Sequence, residues 1–208
     1  MEGLRWFWLA GHAAGLLWDF EAWEAIAERF VEHGRASGTR AVLPVALSTR
    51  AGAHLFAGDF SKAAALTGEE TAISEVTGSG IALYGALGEA AFRGRTGEAQ
   101  ALIAAGTRDA ARRGEGVGVS FIQWATALLC NGTGKYRQAL AAAREAGRDE
   151  PAQRFRNWGL AELVEAASRV GEREEAAEAL DRLSAAGGVP SSRHRFSRHA
   201  PWLISPWE

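Results

Sequence analysis

Gly132-Thr133-Gly134-Lys135 ends like a phosphate-binding loop, in which Gly-rich backbone N–H groups wrap phosphate oxygens and the Lys ammonium holds the outer phosphates. The complete pattern needs Gly five residues before its second Gly, Ser or Thr after the Lys, and a strand leading in. Here those places hold Leu129, Tyr136 and a helical pattern, so no nucleotide is expected. His12, His33 and His54 are never three or four apart, and a metal would have to be gathered from separate helices. His194 and His199 have no Cys or carboxylate beside them, which is poor zinc chemistry. Gly116-Val117-Gly118-Val119-Ser120 has the wrong order for a nucleophile elbow. The carboxylates of Glu69-Glu70 and of Glu174-Glu175 are adjacent, hence about 100° apart on a helix, and belong to solvated faces. Cys130 is the single cysteine and falls on an apolar helical face, where it reads as a small core residue. These side chains make no catalytic, metal or cofactor site, and the chain is read as non-enzymatic.

What positions them is a repeat. Gly134-Lys135-Tyr136-x-x-Ala139 joins the end of one helix to the start of another: a small residue closes the turn, an aromatic plugs the space between the helices, and Ala139 lets the backbones approach. The same grammar recurs at Trp18-Asp19-Phe20-Glu21-Ala22-Trp23, Gly58-Asp59-Phe60-Ser61-Lys62-Ala63, Gly94-Arg95-Thr96-Gly97-Glu98-Ala99 and Gly171-Glu172-Arg173-Glu174-Glu175-Ala176. Counted at Phe20, Phe60, Thr96, Tyr136 and Arg173, the steps are 40, 36, 40 and 37 residues. Solenoid hairpins recur at roughly 34–45 residues, and a hairpin too small to bury its own apolar face has to pack on its neighbours.

The pattern predicts an all-α chain, a right-handed α-α superhelix of five tetratricopeptide-like hairpins over residues 1–187. Asp19 starts the second helix, Pro44 sits in the first turn of the third, and Asp59 caps the fourth. The last helix carries an apolar stripe, Ala176, Ala179, Leu180 and Leu183, with no following hairpin to cover it, so a homodimer through that end is expected. Residues 188–208 lose the helical period, and their prolines and polar breakers read as a disordered tail. Net charge of -2 gives no push toward nucleic acid. No stretch reaches the roughly 18 apolar residues of a membrane span. The apolar run Leu4 to Leu17 contains Arg5 and His12 and has no basic segment before it, so it does not read as an export signal, and a cytoplasmic location is expected.

The segments Arg5–Trp23, Ala41–Phe60, Ala127–Ala146 and Asn157–Leu183 together resemble the helical-repeat arm of large LuxR-type transcriptional regulators. The resemblance runs from Arg5 to Leu183. It implies a superhelical effector-sensing region, preceded in the parent architecture by an ATPase module of the signal-transduction class and followed by a helix-turn-helix DNA-binding module. Neither module is in this sequence, which therefore looks like a fragment, binding its effector without touching nucleic acid itself. The other reading is a self-standing tetratricopeptide adaptor for a protein or peptide.

Registering the copies puts Trp8, Ser48, Tyr84, Trp124 and Ala161 at one shared position, twelve residues ahead of the aromatic slot. In tetratricopeptide stacks that position faces the groove, which implies a ligand surface of Trp8, Ser48, Tyr84 and Trp124 with His12, Asn131 and Glu165, and also Arg5 and Arg169, as polar neighbours. The spacing equally allows Trp8 and Trp124 to fill space between adjacent hairpins, and Trp is usually largely buried.

Overall fold

The computed structural model of the chain describes residues 2–38, 42–77, 84–148 and 155–186. Ten helices account for nearly all of them, and the described residues contain no strand. They are α1 (Glu2–Leu16), α2 (Phe20–Ala36), α3 (Leu43–Phe56), α4 (Phe60–Thr77), α5 (Tyr84–Phe92), α6 (Thr96–Arg113), α7 (Gly116–Gly132), α8 (Tyr136–Ala146), α9 (Arg156–Val170) and α10 (Arg173–Ala185). The region expected as one repeat domain is laid out as two compact units, one holding α1 to α4 and the other α5 to α10. The tail expected over 188–208 lies outside the described residues.

Five turns join the helices in pairs, and all five have the same hydrogen bonds. Gly134 adopts a left-handed backbone, φ 73°, while its N–H donates to the Asn131 carbonyl (3.1 Å) and the next N–H, of Lys135, reaches back to Cys130 (2.8 Å). Gly58 and Asp59 repeat this on Leu55 and His54, Gly94 and Arg95 on Ala91 and Ala90, and Gly171 and Glu172 on Ser168 and Ala167. This is a left-handed helix cap, which satisfies the orphan carbonyls at a helix end and favours Gly because a Cβ is strained there. In the first hairpin the position is held by Trp18, φ 59°, with Trp18 and Asp19 bonding Gly15 and Ala14. The residue after the left-handed one becomes the N-cap of the second helix. Asp19 and Asp59 use the place well, their carboxylates accepting from the Ala22 and Lys62 N–H groups at 3.1 Å.

The aromatic slot corrects the expectation of a plug. Phe60 is exposed, Phe20 and Tyr136 are half-buried, and the Arg169 guanidinium lies 5.6 Å above the Tyr136 ring. As the first residue of the second helix, the slot sits at the rim of the turn. Three residues further on, the chain turns inward: Trp23, Ala63, Ala99, Ala139 and Ala176 are all buried.

Within each unit, the second helix of one hairpin packs on the first helix of the next, as in α2 on α3, α6 on α7 and α8 on α9. First helices also touch their successors: α1 meets α3, α5 meets α7, and α7 meets α9. Exposed ion pairs link second helices, Arg35 to Glu69 at 2.7 Å and Arg144 to Glu175 through two bonds of 2.7 Å. Each such surface pair is worth only about 0–1 kcal/mol. The apolar stripe expected to lie open on α10 is instead mostly internal. Ala176, Ala179 and Leu183 join Leu160, Leu163 and the alanines of α8 in one core, and only Leu180, 46% exposed, faces outward. The stripe turns toward α9, its partner in the hairpin, which removes the apolar surface the expected C-terminal homodimer was to use.

The closest approach is at Gly159. A Cβ there would lie 2.6 Å from the Ala146 carbonyl carbon and 2.8 Å from the Gly147 nitrogen, both backbone atoms that cannot swing aside. Gly159→Ala is therefore expected to lower the stability of the second unit by about 1–3 kcal/mol, the usual scale of overpacking. Gly68→Ala, at an exposed mid-helix site with nothing within 4 Å of the added carbon, should raise the stability of the first unit by about 0.5–1 kcal/mol. Thermal and urea unfolding followed by circular dichroism check both signs.

Candidate functional site

The positions singled out by the repeat register do not share one environment. In the first unit, Trp8 and His12 lie one turn apart on α1 and stack with ring centroids 5.4 Å apart and planes 11° from parallel. Both are half-buried, as is Ser48 on α3. Trp8 rests on the apolar cluster of Phe30, Val31, Ala46 and Leu47, so one side of the ring is supported by core. The side chain of Arg5 lies outside those described.

In the second unit the expectation has to be corrected for two residues. Trp124 is 3% exposed and sits among Phe121, Phe92 and Trp158, at ring separations of 5.1, 6.0 and 4.9 Å. The aromatic run continues to Phe155, 5.0 Å from Trp158 and 5.2 Å from Phe121. Trp124 thus fills the space between successive hairpins, the alternative that the spacing left open, because the hairpins on either side each bring a ring against it. Asn131 is also internal, 6% exposed. Tyr84 is half-buried, its ring edge-on to Phe121 at 5.0 Å, and its hydroxyl donates to Glu115 Oε1 at 2.5 Å. Burial first, and the adjacent Glu115 carboxylate second, push the phenol pKa up, so it stays a neutral donor. Gly118 makes room for that hydroxyl: a Cβ would come within 2.7 Å of it. Ala161 and Glu165 are half-buried on α9, with Glu165 3.7 Å from Arg169.

The segment that resembles a phosphate loop has no free cradle. The N–H groups of Thr133, Gly134 and Lys135 all donate to carbonyls of the helix they close. Cys130 is buried in the same core, where burial raises its thiol pKa and the sulfur lies 3.9 Å from Gln138 Oε1. Among the described residues no three His, Cys, Asp or Glu side chains are grouped so as to hold a metal ion, and no helix is long and apolar enough to cross a membrane.

Four buried acidic or imidazole side chains among the described residues escape the sequence pattern: Glu70, expected on a solvated face but 1% exposed, Glu89, Glu162 and His54. Glu162 on α9 is 4% exposed, and the Asn131 amide on α7 donates both to its carboxylate (2.8 Å) and to its backbone carbonyl (3.1 Å). Asn131 Oδ1 is buried without a donor. Removal from water pushes the Glu162 pKa up to about 8; the Asn131 hydrogen bond opposes this and the charge of Glu165 adds to it. In the first unit, His54 on α3 is buried with Nε2 3.7 Å from Glu24. Burial lowers its pKa, Glu24 and Asp59 pull the other way, and Lys62 and Arg50 reinforce the lowering. His54 is thus stored as the neutral imidazole.

The raised pKa of Glu162 has a defined sign. Folding binds its proton more tightly than the unfolded chain does, so the stability it contributes is complete below about 4.5, declines as pH rises, and is lost once pH passes about 8. Glu162→Gln, which keeps the neutral shape, should raise the unfolding midpoint at pH 8–9 and leave it nearly unchanged at pH 4.5. Urea titrations of both proteins across that range test it; equal slopes of stability against pH would show that the carboxyl ionises freely in the folded chain.

Compared with protein-family models, with curated proteins and with solved structures, the chain finds no match.

Proposed function

We propose that this chain is a non-enzymatic interaction module, a superhelix of tetratricopeptide-like hairpins resembling the effector-sensing arm of LuxR-type ATPase regulators and working in the cytoplasm. What supports this reading is the recurrence of one hairpin with one turn: five left-handed caps with matching hydrogen bonds, and first helices that touch their successors within each unit. A row of first helices presents successive side chains from several hairpins to one ligand, which is how solenoids make extended binding faces. In the parent architecture an ATPase and a DNA-binding module would carry the response; this segment would do the capturing.

Trp8 is the residue best suited to grip a ligand. Its ring is partly accessible, supported from one side by core, and stacked with His12, so a flat or apolar group of a peptide or a sugar-like effector can lie against the ring. Ser48 from the next first helix, and Tyr84 and Glu165 in the other unit, are the remaining accessible members of the set. Trp124 and Asn131 support the fold instead.

Intrinsic tryptophan fluorescence, titrated with peptides, sugars and nucleotides, tests the proposal. Trp8→Ala should weaken a ligand so found about tenfold or more, equivalent to about 1.4 kcal/mol, with helicity unchanged. Trp124→Ala should cost about 3–5 kcal/mol of stability, as truncation of a buried aromatic does. A ligand indifferent to Trp8→Ala would overturn the assignment of this face.

A further inference from the structure

The contact between α7 and α9 has two unlike ends. Trp124 meets Trp158 and, farther along both helices, Asn131 meets Glu162, so α7 and α9 run in the same direction. The first end is a cluster of aromatic rings that do not titrate. The second is a polar pair sealed from water, with Asn131 6% and Glu162 4% exposed. Beyond Glu162, α9 carries Glu165 and Arg169 and then turns at Gly171.

The hydrogen bonds of that pair lack one proton. The Asn131 side-chain nitrogen directs its N–H groups at Glu162, 2.8 Å from Oε2 and 3.1 Å from the backbone carbonyl. Its oxygen is buried with no donor, and a buried acceptor left so is costly. An ionised carboxylate only accepts, whereas a protonated carboxyl has one O–H to give. With Glu162 protonated, the acid O–H supplies Oδ1 while the amide N–H supplies the other carboxyl oxygen, and every polar atom facing the contact is satisfied. When the proton passes to solvent, Oδ1 loses its donor and a buried charge appears at the same spot, which draws the carboxylate toward water.

We infer that Glu162 and Asn131 form an acid–amide pair that latches the C-terminal half of α9 to α7 and releases it when the proton is lost, the aromatic end serving as the hinge. The charged groups around the pair leave the latch to that one proton. α7 has no charged side chain, and its Cys130 thiol is kept neutral by burial. On α8, Arg144 is bound to Glu175 of α10, Glu145 pairs with Arg148, and Arg137 is exposed. On α10, Arg182 donates to the Gly147 carbonyl, and Arg173, Glu174, Glu178 and Asp181 are exposed. On α9 itself Arg156 is half-buried at the first turn and Arg169 lies beside Glu165, whose charge opposes ionisation of Glu162. Among the described residues no cation pairs with the Glu162 carboxyl. Release moves Glu165, a member of the ligand face, away from α7; this consequence alone rests on the function proposed above.

Two measurements on the intact chain test the latch: NMR of the Glu162 carboxyl carbon and the Asn131 side-chain amide against pH, and amide hydrogen exchange on either side of the midpoint, corrected for the intrinsic effect of pH. The carboxyl should titrate near pH 8, with the Asn131 amide shifting at the same midpoint. Across it, protection of residues 163–170 should fall about tenfold or more while residues 156–160 keep theirs. Glu162→Gln donates to Oδ1 and accepts from the Asn131 nitrogen at every pH, so it should hold the latch shut and abolish the fall. Asn131→Ala should leave residues 163–170 equally open at both pH values. A Glu162 carboxyl titrating near 4.5 in the folded chain would overturn the inference. So would titration near 8 with protection unchanged, a loss of protection spread evenly along α9, or a fall that persists in Glu162→Gln. None of these readings uses a ligand, so a chain that binds nothing through Trp8 would sink the proposed function and leave the latch standing.

Discussion

Each hairpin depends on a single backbone position, and Gly114 repeats the same geometry between α6 and α7. The residue with positive φ after each first helix lets two N–H groups fold back on the last turn, and in the same stroke sets the next residue as the N-cap of the second helix. The two helices are then antiparallel with only a few residues between them, and the side chain three places on is aimed at the partner. Four of the five positions hold Gly. The fifth, Trp18, takes the conformation at a cost of about 1–2 kcal/mol for an L residue, and its ring is buried edge-on against Phe20 and Phe56, 6.2 and 6.1 Å away. Ring burial is worth enough to offset a strained backbone, which is why the first hairpin keeps the turn without the glycine.

Once the turns fix the helices as pairs, small residues decide how close the pairs come, and the first hairpin shows the adjustment clearly. Where four copies place Ala three residues into the second helix, it places Trp23, and the volume is found by glycines around the ring. A Cβ on Gly15 would come within 3.2 Å of Trp23 and one on Gly52 within 3.1 Å. At the other extreme, α9 meets α8 through Gly159 and Ala146 with no room for one more carbon. Packing between hairpins is therefore a set of local volume exchanges on a common backbone plan, as expected where interiors are close-packed.

This division explains how far the sequence could be read. The pairing of the helices and the caps at Asp19 and Asp59 are encoded locally, by a period of 36 to 40 residues, by glycine and by short polar side chains, and the second, third and fourth helices start where Asp19, Pro44 and Asp59 put them. Depth is not encoded locally. Trp8 and Trp124 occupy the same register position, yet Trp124 is enclosed because Phe92 and Trp158 come from hairpins on either side. The stripe on α10 faces inward for a similar reason, its neighbours being supplied by α9 and α8. Glu162 looks like one more solvated carboxylate on an amphipathic helix. Its burial comes from the packing of α9 on α7 and α8, where Asn131, 31 residues earlier, donates to its carboxylate.

Glu162 and His54 are kept at a cost, since a buried ionisable group that must be neutral penalises folding wherever the unfolded chain would rather be charged. The two act in opposite directions. Glu162 is raised, so the second unit is weakened as pH climbs from 4.5 toward 8. His54 is lowered, so the first unit is weakened as pH falls below 6.5, where the unfolded imidazole takes a proton that the folded one refuses. Between pH 4.5 and 6.5 both penalties are partly in force, one growing as the other fades. His54 sits on α3, the helix that also carries Ser48, and Glu162 on α9, the helix that also carries Glu165, so a change in either charge bears on the packing of a first helix. The physical consequence is that pH should act on the two units separately, weakening one where it supports the other.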